Sequence, residues 1–264
     1  MEKQGKFTLY SLADFAAYLK KLKVSFNRKI THIQEHHTLI PDYGDFNGSN
    51  HFARLQAMET YHIEQGFGQI AQHFTIFPDG LIASGRPLSL TPTCIKGHNT
   101  GGICIENLGD FDIGKDKMTE DQKYVIVNAT ALLCDKFNLP VNTTSVVYHH
   151  WFRQSDGVRD EAEGKLIAAD HKTCPGTNFF GGNRVTDANA HFIPEVFDAW
   201  EQHRATEKAR IIPAVLNIRS GAGTVFSVVG QLKQNEEVSV LERKDGWIRI
   251  RRNQWVSGQY LTSV

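Results

Sequence analysis

Two histidine pairs and one cysteine are the residues best suited to chemistry in this chain of 264 residues. The pairs are His36-His37 and His149-His150, and the cysteine lies in the segment His171-Lys172-Thr173-Cys174-Pro175-Gly176. Two imidazoles and one thiolate form a three-ligand zinc set that leaves a fourth coordination position for water. Ligands this far apart have no fixed spacing to test, so the residues alone favour a zinc site and ordinary packed side chains about equally.

The elements that must position these residues are predicted strands. Each histidine pair lies at or near the end of one, and adjacent strand residues point to opposite faces. Only one member of each pair therefore faces a shared site, and the pattern leaves the choice between His149 and His150 open. His171 is a less favoured alternative to Cys174 as the third ligand.

The hydrophobic pattern predicts helices and strands that do not alternate strictly. Helices are predicted from the cap at Ser11, over residues 52–64, from the capping box at residues 119–122, and over residues 194–202. Strands are predicted over residues 72–77, 81–85, 102–107 and 145–150, and a polar loop over residues 153–165. The expected fold class is α/β, with a mixed central sheet flanked by helices.

The pattern changes at Ile211, where short β-rich runs alternate with turn residues. We expect a first domain over residues 1–206, with its core at about residues 28–200, and a small all-β domain over residues 207–264. From Glu207 onward there are nine basic and five acidic residues, against 20 and 24 in the first 206. The net charges of +4 and −4 cancel in the whole chain.

Composition excludes several classes of protein. With 41% hydrophobic and 10% aromatic residues the chain is not disordered. A net charge of zero disfavours a nucleic-acid partner, and short apolar runs predict no membrane insertion. The start of the chain has no signal-peptide pattern, which predicts synthesis in the cytoplasm. Four cysteines without a C-x-x-C pair exclude a zinc ribbon, and we expect all the thiols to be free.

A series of short motifs resembles the zinc-dependent N-acetylmuramoyl-L-alanine amidases, which include phage amidases, cytoplasmic anhydro-muropeptide amidases and animal peptidoglycan recognition proteins. The motifs follow one another from about Thr31 to Phe180, and they are His36-His37-Thr38, Tyr61-His62, Ile70-Ala71-Gln72-His73-Phe74, Gly97-His98-Asn99, Gly102-Ile103-Cys104-Ile105-Glu106 and Lys172-Thr173-Cys174-Pro175-Gly176. The resemblance implies one catalytic zinc ion and peptidoglycan as the partner.

The resemblance also implies roles for individual residues. The zinc ligands would be His36, His149 and Cys174. Gln72 stands where one branch of the family has a catalytic tyrosine, so the general base would be Glu106, as in another branch. Lys172 would stabilise the oxyanion. The reaction would be hydrolysis of the amide between N-acetylmuramic acid and the L-alanine of the stem peptide, by a water that zinc activates.

Three further residues are candidates for substrate contact. His98 and Asn99 lie in a glycine-rich loop, where peptide or sugar contact and turn formation are about equally favoured. Arg86 has the geometry to bind a peptide carboxylate, and a structural salt bridge is as well supported.

The C-terminal region resembles a bacterial SH3-like barrel, through Leu216-Asn217-Ile218-Arg219-Ser220-Gly221, Gly246-Trp247-Ile248-Arg249-Ile250 and Trp255-Val256. Such domains often bind cell-wall peptides, and Trp255 and Tyr260 are the candidate wall-binding residues. Trp247 is expected to belong either to the same groove or, with more support, to the core.

The expected function is therefore a peptidoglycan hydrolase that reaches the cell wall by phage-type or non-classical release. Three alternatives remain at this point: a cytosolic amidase that recycles muropeptides, a non-catalytic peptidoglycan-binding protein, and a cysteine peptidase that uses Cys174 and His149.

Overall fold

The computed structural model describes residues 1–160 and 170–264. The chain divides into two compact units, Met1–Val196 and Phe197–Val264. Part of the predicted loop over residues 153–165 lies outside the described residues. None of the helices in the described ranges has the length and apolar character needed to cross a membrane.

The first unit contains a seven-stranded sheet. Its strands are β1 (Glu2–Gln4), β2 (Phe7–Tyr10), β3 (His32–His37), β4 (Phe74–Ile76), β5 (Ile82–Ser84), β6 (Gly102–Asn107) and β7 (Val146–Tyr148), in the order β1-β2-β5-β4-β6-β3-β7. The pairs β4–β6, β6–β3 and β3–β7 are parallel, and the other pairs are antiparallel. The predicted mixed sheet is confirmed.

The register of the parallel strands determines which side chains meet at one edge of the sheet. His36 of β3 lies opposite Glu106 of β6, and Glu35 lies opposite Tyr148, the last residue of β7. His149 follows β7 directly and begins a short 3-10 helix, His149–Trp151. The carboxyl ends of β3, β6 and β7 therefore bring His36, Glu106 and His149 to the same end of the sheet.

Within residues 1–160 and 170–264, five α-helices accompany the strands: α1 (Leu12–Lys21), α2 (His51–Glu64), α3 (Glu120–Lys136), α4 (Val185–Ala190) and α5 (Phe192–Arg204). The predicted N-caps are confirmed, because Ser11 Oγ accepts from the backbone of Asp14 and Thr119 Oγ1 accepts from that of Gln122. The sequence pattern did not predict β1, β2 or α4, which are short or weakly periodic.

An aromatic cluster supports the turn that carries His149. Tyr148 stacks on Trp151 with ring centres 4.8 Å apart, and Phe179 meets Tyr148 edge-on at 5.4 Å. Trp151 Nε1 donates to the carbonyl oxygen of Asn183 at 2.8 Å. These rings are fully buried, so the backbone at His149 is held by packing as well as by the strand that precedes it.

The second unit contains eight strands: β8 (Lys208–Ile211), β9 (Val215–Arg219), β10 (Val228–Lys233), β11 (Glu237–Ser239), β12 (Glu242–Lys244), β13 (Trp247–Arg251), β14 (Gln254–Ser257) and β15 (Leu261–Ser263). They form two sheets, β10-β9-β14-β13-β12 and β11-β8-β15. The all-β prediction is confirmed, and the strands of this unit pair as these two sheets. Their shared core includes Ile211, Ile218, Ile248 and Val256.

A buried carboxyl group lies on the face of β3 opposite to His36. Glu35 is fully buried, and it accepts hydrogen bonds from Thr130 Oγ1 at 2.7 Å and Asn107 Nδ2 at 3.0 Å. Burial raises its pKa to about 7, and the two hydrogen bonds oppose the shift. Since the folded-state pKa exceeds the unfolded-state value, the stability that this group contributes is present at acidic pH and lost as the pH rises through 7.

We expect a Glu35→Gln variant to remove this pH dependence. Relative to the variant, the wild type should lose up to about 3 kcal/mol of unfolding free energy between about pH 4.5 and pH 8. Urea denaturation across that range measures the difference, with exposed Glu64→Gln as the control. A difference between wild type and Glu35→Gln that stays constant with pH would show that Glu35 does not titrate there.

Candidate metal centre

Three potential ligand atoms converge at the edge of the sheet. His36 Nδ1 lies 3.2 Å from His149 Nδ1 and 3.4 Å from Cys174 Sγ. All three residues are buried, and their ligand atoms lie within 4.8 Å of one another. The structure thus brings together the three side chains that the resemblance indicated.

The two distances from His36 Nδ1 are compatible with a shared tetrahedral ion. Zinc bonds of about 2.05 Å to nitrogen and about 2.3 Å to sulfur place two nitrogens about 3.3 Å apart, and a nitrogen and a sulfur about 3.6 Å apart. The observed 3.2 and 3.4 Å agree with these separations. Two imidazoles and one thiol are also a donor set that suits zinc.

Burial controls protonation in this cluster. It lowers the pKa of His149 to about 3 and that of His36 well below its usual value, so both imidazoles are neutral and available as ligands. Burial raises the pKa of the Cys174 thiol well above its usual value, and the carboxyl of Glu106 raises it further. A divalent cation at this position would reverse that effect, because a coordinating thiol loses its proton.

The second member of each histidine pair binds backbone instead of facing the cluster. His37 Nδ1 accepts from the backbone N–H of Phe111 at 3.2 Å. His150 Nδ1 lies 2.6 Å from the carbonyl oxygen of Lys172, and His171 Nδ1 lies 2.7 Å from that of His150. The His150 N–H also donates to the carbonyl oxygen of Cys174 at 2.7 Å. The contacts of His150 therefore join the turn that carries His149 to the loop that carries Cys174.

Glu106 and Lys172 lie beside the cluster. Burial raises the pKa of Glu106 to about 8, and the positive charge of Lys172 opposes that shift. The same charge helps to lower the pKa of His149. Lys172 is exposed, so its ammonium group is open to a ligand.

Asp112 holds the loop that carries Cys174, a role that sequence reasoning missed. Its carboxylate accepts from Thr173 Oγ1 and from the backbone N–H of Thr177, both at 2.9 Å. These partners flank Cys174 on either side. The adjacent Phe111 carbonyl accepts from the N–H of Asn178 at 2.9 Å. No sequence signal indicated this clamp, because Asp112 is distant along the chain and lies in an ordinary polar loop.

The two predicted substrate residues of the glycine-rich loop differ in their contacts. The ring of His98 stacks on Phe152 with centres 4.4 Å apart, and the residue is partly exposed. Asn99 Oδ1 accepts from the backbone N–H groups of Cys94 and Ile95 at 2.8 and 2.9 Å. The side-chain carbonyl group of Asn99 thus serves the turn.

Arg86 does not face the cluster. It is buried, and its guanidinium donates to the carbonyl oxygens of Ile70, Thr91, Phe67 and Gln69. The expectation of a carboxylate-binding residue is corrected, since these donors are already used by the backbone.

The expectation that all thiols are free is also corrected. A disulfide joins Cys94 to Cys104, and the free thiols are Cys134 and Cys174. Strand β6 carries Cys104, and the turn held by Asn99 brings Cys94 against it. The pairing depends on a fold contact that spacing alone did not reveal.

The second unit has a groove with a volume of about 1040 Å³. Its aromatic lining residues are Trp247 and Tyr260, and basic side chains from Arg219, Arg243 and Lys244 also line it. The expected wall-binding residue Trp255 is not among the described residues that line this groove, whereas Tyr260 is exposed within it. Trp247 is half-buried and belongs to the groove.

Two family models match this chain, one over each part of the sequence. The family model described as N-acetylmuramoyl-L-alanine amidase matches residues 26–177, and the bacterial SH3 domain model matches residues 214–262. A curated relative, YrvJ of Bacillus subtilis (strain 168), is 41% identical over 51 residues, which cover 18% of this chain and 10% of the relative. The chain therefore spans about a tenth of the length of that relative.

Solved structures of two kinds are similar to this chain. The N-acetylmuramoyl-L-alanine amidase LysC from Clostridium intestinale URNW is 25% identical, with a TM-score of 0.41, over 60% of this chain and 84% of that one. Drosophila PGRP-LB is 21% identical, with a TM-score of 0.45, over 63% and 86%. Because the amidase model covers more than half of the sequence, the chain belongs to the N-acetylmuramoyl-L-alanine amidase family.

Proposed function

We propose that the protein is a zinc hydrolase that cleaves the amide between N-acetylmuramic acid and the L-alanine of the peptidoglycan stem peptide. The observation that carries the proposal is the buried cluster of His36, His149 and Cys174 in a member of this family. The cell wall is the expected place of action.

The proposed metal ligands are His36 Nδ1, His149 Nδ1 and Cys174 Sγ. When bound, zinc polarises a carbonyl oxygen and lowers the pKa of a water toward neutrality. The neutral state of both imidazoles favours binding, because no proton has to be displaced from either nitrogen at neutral pH.

Glu106 is the proposed general base. It lies opposite His36 in the strand register, and its carboxyl group interacts with the Cys174 thiol. A carboxylate here can accept a proton from the attacking water and pass it to the leaving amine. Burial raises the pKa of Glu106 to about 8 when no cation is bound. A bound cation would favour the ionised carboxylate, which is the form that a general base requires.

Lys172 is the proposed oxyanion stabiliser. Its ammonium group is exposed, and its charge acts on Glu106 and both histidines of the cluster. A fixed positive charge near the scissile carbonyl stabilises the transition state most, because negative charge develops there on the carbonyl oxygen. His98 is the proposed substrate contact, through its ring beside Phe152.

The thiol-protease alternative has less support. A nucleophilic cysteine needs a lowered pKa, whereas burial and Glu106 both raise the pKa of Cys174. The intact ligand set also favours an enzyme over a protein that only binds peptidoglycan.

Mass analysis of digested peptidoglycan tests the reaction. We expect new L-alanine amino termini and intact glycan strands from the wild type. A Glu106→Gln variant should lose at least about a hundredfold in rate, because its amide cannot accept the proton, and should keep one equivalent of zinc. Cuts between sugars or within the stem peptide would contradict the amidase assignment. Full activity of Glu106→Gln would contradict only the assignment of the base.

Removing the Asp112 clamp should weaken metal binding. In Asp112→Ala the residues on both sides of Cys174 lose their shared acceptor, so zinc affinity should fall about tenfold or more. Competition with a chromophoric chelator measures the affinity, and exposed Asp121→Ala is the control. Equal affinities in the two variants would exclude a role for Asp112 in holding the ligand.

We propose that the groove of the second unit contributes to binding of the cell wall through Tyr260. Truncation to Tyr260→Ala removes an exposed ring beside Trp247, so the fraction that sediments with purified walls should fall severalfold. The control is Tyr124→Ala, another exposed tyrosine, in the first unit. Sedimentation of Tyr260→Ala at the wild-type level would exclude a role for Tyr260 and this groove in binding the cell wall.

A further inference from the structure

A second group of potential ligands meets at His36. The sulfur atoms of Cys94 and Cys104 and one ring nitrogen of His36 lie within 4.8 Å of one another. His36 also belongs to the cluster with His149 and Cys174. Its Nε2 atom is buried and has no hydrogen-bond partner in the described part of the chain. One imidazole is therefore shared by two possible ligand sets.

The backbone on both sides of the disulfide is held by contacts that do not involve sulfur. The Cys94 N–H donates to Asn99 Oδ1 at 2.8 Å, and the Cys104 N–H donates to His73 Nδ1 at 3.0 Å. Cys104 is fully buried within β6, and Cys94 is partly exposed. Opening the disulfide would leave two thiols close to His36, and Cys94 is the more exposed of the two residues that a reductant would have to reach.

We propose that Cys94, Cys104 and His36 form a second metal site that exists only after the disulfide is reduced. A dithiol reductant transfers two electrons and two protons to the disulfide, which breaks the S–S bond, and is itself oxidised to a cyclic disulfide. A soft divalent ion then displaces both thiol protons and binds the two thiolates with His36. This site competes with His149 and Cys174 for the same imidazole.

The competition predicts redox control of hydrolysis, a consequence that rests on the proposed function. In the reduced protein the imidazole of His36 is drawn toward the two thiolates, and the catalytic set loses a ligand. In the oxidised protein His36 is available to His149 and Cys174. An enzyme with this arrangement is inactive in a reducing compartment and active outside it.

Cobalt spectroscopy on the full-length Cys174→Ala variant tests the second site without an activity assay. While oxidised, this variant has no thiol in either ligand set. Its Co²⁺ complex should therefore lack thiolate-to-metal charge-transfer absorbance. After reduction with a phosphine and removal of the reductant without oxygen, we expect that absorbance to appear, at a level corresponding to two thiolates per cobalt.

Two controls separate the outcomes. Thiol titration of the unfolded wild-type protein should find two free thiols before reduction and four after it, from the four cysteines of the chain. The triple variant Cys94→Ser/Cys104→Ser/Cys174→Ala retains only the buried Cys134 and should show no charge-transfer band in either state. A fully reduced Cys174→Ala protein without the band, or four free thiols before reduction, would overturn the proposal. Neither result depends on the amidase reaction.

Discussion

His149 Nδ1 and Cys174 Sγ both lie within 3.4 Å of His36 Nδ1, and all three residues are buried. Buried polar atoms are costly unless something satisfies them. At most one shared proton links the two imidazoles, whereas the cation that we propose would satisfy all three groups at once. The rest of the first unit can be understood as the framework that holds these groups in place.

That framework has two parts with different physical origins. Parallel pairing of β3 with β6 and β7 sets the positions of His36 and Glu106 and the start of the His149 turn. Parallel strands fix this register over the whole length of their ladder. The loop of Cys174 has no such ladder, and it is held by the carboxylate of Asp112 and the contacts of His150. Loop ligands depend on such neighbouring groups for their orientation.

Local patterns in the sequence were sufficient for the parts of the fold that depend on local physics. The caps at Ser11 and Thr119 and the strand of Glu106 follow from side-chain chemistry and periodicity within a few residues. The identity of the ligand set came from the family resemblance, because His36 lies more than a hundred positions from both other ligands and such a set has no local signature.

What the sequence could not indicate depends on contacts between distant segments. Arg86 looked like a free cation, but the loops around it supply carbonyl oxygens for its whole guanidinium. Cys94 and Cys104 are separated by ten residues, and only the fold brings them together. Trp255 matched a sequence motif, while the groove of the second unit is lined by Trp247 and Tyr260. In each case the sequence showed the type of residue, but it did not show which residues surround it in the fold.

We propose that His36, His149 and Cys174 bind one ion together. X-ray absorption at the zinc edge of the oxidised holoprotein tests it most directly, because the scattering reports the number and type of ligand atoms. We expect one sulfur at about 2.3 Å and two imidazole nitrogens at about 2.0 Å, with the sulfur lost in Cys174→Ala. A shell of oxygen and nitrogen alone in the wild type, or a sulfur signal that survives in Cys174→Ala, would contradict it.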